Sequence, residues 1–365
     1  MKVIFAGGGT GGHLYPAIAM AREILKRDPA SKVLFVGTPE GIESRILSKE
    51  GLELKTIRVK GLKGKKRMEQ MRALLSLPQA LMDSLSILRS IQPDVVVGVG
   101  GYASGPLVLA SFLSGRKATL QEQNSIPGIT NRILAKLVDR IYTAYLESHS
   151  YFPKEKILQT GNPIREGLGS GSREEALRHF GLDPDKRTVL ILGGSLGAHA
   201  INLMVSDMVR TGDWAWTPVQ FLHQTGEADY QEVLNAYESS GIRASVHPYV
   251  HEIALAYAAA DLAVSRAGAV ALSELCVSGL PSILIPFPFA ADDHQKHNAC
   301  VMADTGAAEV FLQEDLTPER LGDRIRTLLT DPDRLGRMRE AALGHARPHA
   351  TKAVVDDLER LIKVS

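Results

Sequence analysis

Three glycine-rich segments carry the residues of this chain that best suit chemistry on phosphate groups. They read Gly-Gly-Gly-Thr-Gly-Gly-His at 7–13, Gly-Val-Gly-Gly-Tyr-Ala-Ser-Gly at 98–105 and Gly-Gly-Ser-Leu-Gly-Ala at 193–198, and each follows an apolar run. A loop without side chains lets the main chain approach an anion closely, and a following helix directs its N–H groups at that anion. The pattern predicts two facing domains that bind phosphates.

Polar side chains stand within these glycine segments. Thr10 and His13 lie in the first, and an imidazole that titrates near neutral pH suits either proton transfer or donation to a phosphate. Alternatively, His13 has only a structural role at the start of a helix, where its ring bonds to the main chain. Tyr102 and Ser104 lie among four glycines of the second segment, where the entropic cost of glycine favours a binding role over a plain turn.

Two further segments place polar groups after apolar runs. Gln-Glu-Gln-Asn at 121–124 suits a ligand site at the carboxyl end of a strand, or a solvated loop. Ser-Arg-Ala-Gly at 265–268 precedes a helix that begins near Ala269 and carries Glu274. A carboxylate in that position accepts hydrogen bonds from a ribose diol, or it merely faces the helix dipole.

Metal sites are rejected on spacing and context. Two histidines three residues apart flank Lys296 without a third ligand nearby. Gln295 and Asn298 share one helical face, which favours them as partners of sugar hydroxyls. The Asp-Pro-Asp runs at 183–185 and 331–333 surround prolines, as is typical of turns.

The elements that position these residues alternate between strand and helix. Strands are predicted at 2–6, 32–36, 94–99, 118–121 and 140–143, then at 188–192, 219–223, 244–246, 262–265 and 282–285, with a first helix at 16–26 and an amphipathic last helix at 351–363. This alternation predicts an α/β fold of two Rossmann-like, doubly wound domains. The boundaries are placed at 1–163 plus 346–365 for the N-terminal domain and at 164–345 for the C-terminal domain.

The composition of the chain excludes several classes of protein. The 365 residues are 44% apolar with a net charge of +1, which suits two cores and argues against a general nucleic-acid binder. Cys276 and Cys300 have no paired spacing, as expected of a reducing compartment. Because the chain enters an apolar run at once, no signal peptide is expected, and no apolar stretch has membrane-spanning length.

A basic segment in the first half predicts contact with a membrane surface. Cations lie at Lys60, Lys63, Lys65, Lys66, Arg67 and Arg72, just before an apolar stripe that begins at Leu74. Most of that stripe is expected to be a crossover helix that starts after Ser76. Leucines near 74–77 beside the cations suit peripheral attachment to anionic lipid, at about 1 kcal/mol per cation.

Six segments together resemble the MurG family of bacterial N-acetylglucosaminyltransferases. They are the three glycine segments, Glu-Gln-Asn at 122–124, Gly-Asn-Pro-Ile-Arg at 161–165 and Ser-Arg-Ala-Gly at 265–268, in the family's order over nearly the whole chain. The resemblance implies the GT-B architecture, with a cleft between the domains and a last helix that returns to the N-terminal domain. It implies inverting transfer of GlcNAc from UDP-GlcNAc to the 4-hydroxyl of MurNAc in lipid I, giving lipid II for peptidoglycan.

The resemblance also implies residue roles. His13, as base, and Glu274, as holder of the ribose, form the catalytic set; Ser195 would bond the donor phosphate, and Arg165 and Val250 would border the uracil. The donor would contact Thr10, Gly11, Gly12, Asn124, Arg165, Ser195, Val250, Ala269, Val270, Ala271, Leu272, Ser273, Glu274, Gln295 and Asn298. The acceptor pyrophosphate would contact Gly9, Thr10, Gly100, Gly101, Tyr102 and Ser104. No metal or other cofactor is implied.

The resemblance places the protein on the cytoplasmic face of the cell membrane, with UDP-GlcNAc, lipid I, anionic lipid and proteins of cell-wall synthesis and division as partners. Gln121 departs from the family's histidine, and the loop at 286–294 is longer than in some members.

Two alternatives stay open. The first glycine segment fits the dinucleotide fingerprint of an NAD(P)-dependent oxidoreductase, although Thr38 stands where an acid is needed. The other is a non-catalytic module that binds UDP-sugar or carries lipid.

Overall fold

The computed structural model describes residues 1–9, 11–39, 43–59, 76–194, 196–212, 214 and 218–363. It divides into unit 1, Met1–Arg165 with His349–Ser365, and unit 2, Glu166–Pro348. The cations at 60–72 and the leucines at 74–75 lie outside the described residues, as do Thr10 and Ser195.

The division falls two and three residues later than the predicted boundaries. Ile164 stays with unit 1 because its N–H donates to Thr351 Oγ1 at 3.1 Å and its carbonyl accepts from the same hydroxyl at 3.0 Å. At the other boundary, Ala346 N–H donates to Leu343 O, so Ala346 caps the last helix of unit 2. Ile164 and Arg165, predicted in the C-terminal domain, therefore belong to unit 1.

Unit 1 is built on a sheet of seven parallel strands in the order β3-β2-β1-β4-β5-β6-β7. The strands are β1 Lys2–Gly7, β2 Lys32–Gly37, β3 Glu53–Thr56, β4 Val95–Gly100, β5 Lys117–Glu122, β6 Arg140–Thr143 and β7 Ile157–Gln159. The valine-rich β4 is buried along its whole length, as expected of a central parallel strand covered on both faces.

Helices cover both faces of this sheet. They are α1 Gly11–Arg27, α2 Glu43–Glu50, α3 Leu77–Ile91, α4 Ser104–Leu113, α5 Ile129–Leu134 and the C-terminal helix Ala350–Lys363. The helices α3, α4 and α5 pack in one core, whereas α1, α2 and the C-terminal helix pack in the other. The C-terminal helix buries Val354, Val355 and Leu358, and its Asp357 accepts from Arg140 Nε at 3.0 Å and Tyr142 OH at 3.1 Å.

Helix α1 begins at Gly11, five residues before the predicted start, and Pro16 lies inside it. A proline near a helix start loses one main-chain hydrogen bond but has a helical φ already fixed. Gly11 and Gly12 therefore form the first turn of α1 and not a loop, which brings the helix N-terminus directly behind the first glycine segment.

Unit 2 repeats the architecture with six parallel strands in the order β10-β9-β8-β11-β12-β13. The strands are β8 Arg187–Leu192, β9 Val219–Gln224, β10 Ala244–His247, β11 Leu262–Ser265, β12 Ser282–Leu284 and β13 Ala308–Val310. The helices are α6 Arg173–His179, α7 His199–Thr211, α8 Tyr230–Ser240, α9 Ile253–Ala259, α10 Ala269–Val277, α11 His294–Asp304, α12 Pro318–Leu329 and α13 Pro332–His345. The predicted pair of doubly wound parallel sheets is confirmed.

The strand order reverses between β1 and β4 in unit 1 and between β8 and β11 in unit 2. Ligands of open α/β sheets bind outside the carboxyl ends of strands at such a switch point. All three glycine segments and the run at 265–268 follow the four strands that flank these two points, so each unit has one site to consider.

Candidate active site

The two glycine segments of unit 1 are packed against each other. A Cβ on Gly101 would lie 2.4 Å from Gly8 O, and one on Gly7 would lie 2.3 Å from Gly100 O. Gly9 and Gly101 also have φ of +85° and +81°, a region that suits glycine. The glycines are therefore required by close approach of the two loops, which leaves main-chain groups at the surface of the switch point.

Ser104 binds these loops together from beneath. Its hydroxyl donates to Ala6 O at 2.5 Å and accepts from Gly100 N–H at 3.1 Å, and the residue is fully buried. The hydroxyl of Ser104 is thus occupied by the main chain, and its contact with the acceptor pyrophosphate stays a prediction. Tyr102, by contrast, is 45% exposed beside the same loop.

His13 lies in the first turn of α1, against both glycine loops. Its Nδ1 is 3.2 Å from Gly8 O, and a Cβ on Gly100 would lie 3.0 Å from its Nε2. A carbonyl oxygen can only accept, so Nδ1 carries the hydrogen of the neutral ring and Nε2 carries the lone pair. The main chain that satisfies His13 thus also prepares it to accept a proton at Nε2.

A buried carboxylate shapes the loop that follows β5. Glu122 accepts from Asn124 N–H at 3.0 Å, Asn124 Nδ2 at 3.2 Å, Gly128 N–H at 3.2 Å and Asn131 Nδ2 at 2.8 Å. Burial raises the pKa of Glu122 while these donors act in the opposite direction. Asn124 is half-buried and oriented by Glu122, an anchor that the sequence analysis did not identify.

Gln121, which stands in place of the family's histidine, belongs to a buried amide network. Its Nε2 donates to Asn162 Oδ1 at 3.1 Å, its Oε1 accepts from Gln123 Nε2, and Asn162 Nδ2 donates to Gln123 O at 3.1 Å. The side chain joins the end of β5 to the segment that leaves unit 1. It is fully buried, so its role here is structural.

Arg165 packs within unit 1. Its guanidinium lies 4.2 Å from the ring centroid of Tyr15 on α1, a cation–π contact. The prediction had placed Arg165 in the donor domain at the uracil, whereas the structure assigns it to the other unit.

In unit 2 the third glycine segment packs against the end of β9. A Cβ on Gly197 would lie 1.9 Å from Thr225 O, and one on Gly226 would lie 2.2 Å from Leu196 O. Gln224 then donates from Nε2 to Gly194 O at 2.8 Å and accepts from Val250 N–H at 2.9 Å. Gln224 therefore links the loop predicted to bind phosphate to Val250, which is predicted to contact the uracil. No sequence motif had indicated Gln224.

A polar network lies beneath this loop. Asn202 Nδ2 donates to Thr225 O and Asp229 Oδ2, both at 2.7 Å, so Asn202 Oδ1 must accept from His223 Nε2 at 3.0 Å. His223 Nδ1 then accepts from Tyr237 OH at 3.2 Å. Burial lowers the pKa of His223 to about 3, with a smaller opposing effect of Asp229. His223 is thus neutral and links Asn202 to Tyr237 by hydrogen bonds.

The second strand of this switch point leads into α10. Leu272 N–H donates to Gly268 O at 3.0 Å, the first bond of the helix ladder. The N–H groups of 269–271 therefore point out of the helix start, where an anion is favoured. Glu274, one turn further, is 4% exposed and accepts from Tyr257 OH at 3.0 Å. Ser273 donates its hydroxyl back to Ala269 O at 3.0 Å.

Gln295 and Asn298 lie in the first turns of α11, as predicted. Gln295 is half-buried and its Oε1 accepts from Phe287 N–H at 3.0 Å, whereas Asn298 is fully buried. The loop before them contains Asp292 and Asp293 at φ of 54° and 51°, a left-handed conformation that strains non-glycine residues and clusters at functional sites.

The Asp-Pro-Asp runs serve local structure. Asp183 Oδ1 accepts from Asp185 N–H at 3.0 Å, and Asp331 Oδ1 caps α13 by accepting from Arg334 N–H at 2.9 Å. Within the described ranges, no three side chains of His, Cys, Asp or Glu come together as a metal site would require.

Comparison with known proteins identifies the family. The profile of the Glycosyltransferase family 28 N-terminal domain matches residues 3–143, and that of the C-terminal domain matches residues 188–354. A UDP-N-acetylglucosamine--N-acetylmuramyl-(pentapeptide) pyrophosphoryl-undecaprenol N-acetylglucosamine transferase of Myxococcus xanthus is 44% identical over 98% of this chain and 92% of its own length. The chain belongs to glycosyltransferase family 28 and, within it, to the MurG family.

Other MurG relatives agree. The transferase of the same name from Syntrophus aciditrophicus is 43% identical over 100% of this chain and 99% of its own. The crystal structure of Acinetobacter baumannii MurG matches with a TM-score of 0.77 at 29% identity, covering 98% of this chain and 99% of that one. The resemblance stated from the motifs is confirmed, the enzyme is a glycosyltransferase, and the oxidoreductase alternative is not supported.

Proposed function

We propose that this protein transfers GlcNAc from UDP-GlcNAc to the 4-hydroxyl of MurNAc in lipid I, releasing UDP and forming lipid II. The observation that carries the proposal is the presence of one glycine-lined switch point in each unit. A reaction that joins a nucleotide diphosphate sugar to a lipid diphosphate needs two separate sites for anions, and each unit begins a helix, α1 or α10, directly after a strand of its switch point. The names of the relatives support the same reaction.

The donor belongs to unit 2 in this proposal. The N–H groups at the start of α10 receive the diphosphate, Glu274 accepts hydrogen bonds from the ribose diol, and Val250 borders the uracil. Gln295 and Asn298 read the hydroxyls of GlcNAc, and Ser195 adds a bond to the phosphate. When UDP leaves, charge grows on its phosphates, and the helix start stabilises that charge most in the transition state.

The acceptor belongs to unit 1. The pyrophosphate of lipid I lies at Gly9, Thr10, Gly100 and Gly101 beside the exposed Tyr102, with the start of α1 directed at it. His13 accepts the proton of the attacking 4-hydroxyl at Nε2. The oxygen attacks C1 of GlcNAc opposite to the departing UDP, so the new linkage is β.

Release of UDP with matched substrates tests the proposal. We expect UDP to appear when UDP-GlcNAc and a short-chain lipid I analogue are both present, and to stay near background with either alone. UDP-GalNAc should react far more slowly, since its 4-hydroxyl is inverted. Tight UDP binding without any release in the complete mixture would instead identify a non-catalytic binding module.

We further propose peripheral attachment to the cytoplasmic face of the membrane. No helix among the described residues is both long and apolar enough to cross a bilayer. Helices α4 and α5 expose large apolar side chains, with Phe112 50%, Leu113 60%, Ile129 61% and Ile133 66% accessible. Together with the cations at 60–72, they supply the two contributions that peripheral binding needs, apolar insertion and attraction to anionic lipid.

A further inference from the structure

A carboxylate that no part of the proposed reaction uses lies buried beside the first glycine segment. Glu43 is the first residue of α2 and is 1% exposed. Its Oε1 accepts from Gly9 N–H at 3.1 Å, and its Oε2 has no hydrogen-bond partner among the described residues. Because a negative charge here repels a diphosphate on the same loop, binding of the acceptor does not explain this residue.

Two glycines make room for Glu43. A Cβ on Gly8 would lie 1.8 Å from Glu43 Oε1, and a Cβ on Gly37, at the end of β2, would lie 3.1 Å from the same atom. Any other residue at position 8 would displace the carboxylate from Gly9. The glycines of the first segment therefore serve Glu43 as well as a ligand.

The bond from Glu43 and the bond to His13 are made by one peptide unit. Glu43 holds the N–H of the Gly8–Gly9 peptide, and the carbonyl of that same peptide accepts from His13 Nδ1 at 3.2 Å. A peptide unit is planar, so its N–H and C=O point in opposite directions and turn together. With glycine on both sides, this peptide has little steric barrier to rotation, and Glu43 supplies the restraint.

We propose that Glu43 is a positioning residue that selects the tautomer of His13. By fixing the Gly8–Gly9 peptide, it directs Gly8 O at Nδ1, keeps the hydrogen on Nδ1 and leaves the lone pair on Nε2. Without an acceptor at position 43 the peptide rotates, Gly8 O leaves His13, and the opposite tautomer becomes populated. The tautomer depends on the structure alone, whereas its consequence for catalysis rests on the proposed function.

The tautomer can be observed directly by NMR of the full-length protein labelled with ¹⁵N-histidine. The His13 signals are assigned from their absence in His13→Gln. We expect Nδ1–H in the wild type and in Glu43→Gln, which keeps an acceptor for Gly9 N–H. Glu43→Met, of similar shape but without that acceptor, should show a mixture or the Nε2–H form. Glu50→Gln, at the partly exposed end of the same helix, is the control and should match the wild type.

Kinetics provide a second readout. Glu43→Met should lower kcat on the order of tenfold through misplacement of the base, with KM for UDP-GlcNAc nearly unchanged. In a His13→Gln background the same substitution should have no further effect, because both changes remove one function. Additive losses would mean that Glu43 acts elsewhere and would contradict the proposal.

The outcomes distinguish failure of the proposed function from failure of the positioning role of Glu43. A wild type that lacks transferase activity but shows the Nδ1–H form overturns the proposed function and leaves the positioning role standing. An unchanged His13 tautomer in folded Glu43→Met overturns the positioning role. If Glu43→Met does not fold, Glu43→Gln decides: a folded Gln variant with the Nε2–H form refutes the assignment.

Discussion

At the scale of single residues, Tyr257 orients Glu274. Its hydroxyl donates to Glu274 Oε2 at 3.0 Å, and both residues are almost fully buried. The bond orients the carboxylate that we propose to hold the ribose. Its loss should weaken donor binding by about 1 kcal/mol, the usual net value of such a bond.

Tyr257→Phe is therefore expected to raise KM for UDP-GlcNAc about fivefold, with kcat within about twofold. Steady-state kinetics at saturating acceptor measure both, and Tyr230→Phe on α8 serves as the control. A fall in kcat at unchanged KM would show that the bond serves the transition state and not the binding of the ribose.

His223 makes the stability of unit 2 depend on pH. Burial lowers its pKa to about 3 from an ordinary 6.5. Below pH 6.5 the unfolded chain takes up a proton that the folded protein refuses, so stability is lost as pH falls from 6.5 towards 3. Between pH 7.5 and pH 5.5 this amounts to about 1.4 kcal/mol.

Urea unfolding measures this difference. Trp214 packs in the core of unit 2, so its fluorescence reports on the unfolding of that unit. The free energy of unfolding of the wild type should drop by about 1.4 kcal/mol more than that of His223→Gln over this range. The exposed His199–Asp229 pair is common to both proteins and cancels. Parallel pH profiles would show that His223 is protonated in the folded state.

Candidate residues could be predicted from the sequence where a motif contains them. Residues that matter only through a contact between distant parts of the chain could not. His13, Glu274, Gln295 and Asn298 follow from motif and spacing. Tyr257 stands seventeen residues before its partner Glu274, and Glu43 thirty-four after Gly9, so neither contact has a sequence signature. The bonds of the Ser104 hydroxyl to the main chain could not be predicted either, because a hydroxyl in a glycine segment has the same sequence pattern whether it faces a ligand or the main chain.

At the scale of elements, the two loops of unit 1 should tolerate no side chain at their contact. Gly101→Ala places a Cβ 2.4 Å from Gly8 O in a left-handed backbone, which forces the loops apart. We expect loss of acceptor turnover by about a hundredfold or more, since misplacement of about 1 Å has that effect. UDP binding, measured by calorimetry, should change far less, because most of the donor contacts that we propose lie in unit 2.

Gly115→Ala is the matched control. Gly115 also has a left-handed φ, of +63°, but nothing lies within 4 Å of its Cβ position. It should lose about 1 kcal/mol of stability and retain turnover. Equal loss of turnover in both variants would attribute the effect to backbone strain and not to the contact between the loops.

The exposed faces of α4 and α5 predict a change in membrane binding. Phe112→Glu and Ile133→Glu place a charge on side chains that are 50% and 66% exposed, so folding should be unaffected. Each is expected to weaken binding to anionic phosphatidylglycerol vesicles several-fold, with little binding to neutral phosphatidylcholine in any case. Cosedimentation measures this. Binding equal to the wild type would exclude these helices from the contact.

Strands that are more buried were easier to predict from the sequence. The central strands β4, β8 and β11 are buried along nearly their whole length and read as apolar runs. The three-residue edge strands β7 and β13 were not predicted, because half-exposed edges have no such run. The start of α1 was placed late because proline favours a first turn, whereas here glycines precede it within the helix.

At the scale of the whole molecule, two units have the same order in their first six strands, and we propose that each unit binds one of the two diphosphates. The alternation of strands and helices predicted this duplication. The return of the C-terminal helix came only from the family resemblance, because an amphipathic helix fits either core. It is fixed by bonds such as that of Thr351 with Ile164, across 187 residues of sequence, which no local pattern reveals.

We propose that the enzyme moves GlcNAc from UDP-GlcNAc onto the lipid-linked MurNAc. The most direct measurement is the mass and linkage of the lipid product after incubation with UDP-GlcNAc and a lipid I analogue. We predict one added N-acetylhexosamine, β-linked to the 4-hydroxyl of MurNAc, in amounts equal to the UDP released. Released UDP with an unchanged lipid, or a product with an α-linkage, would contradict it.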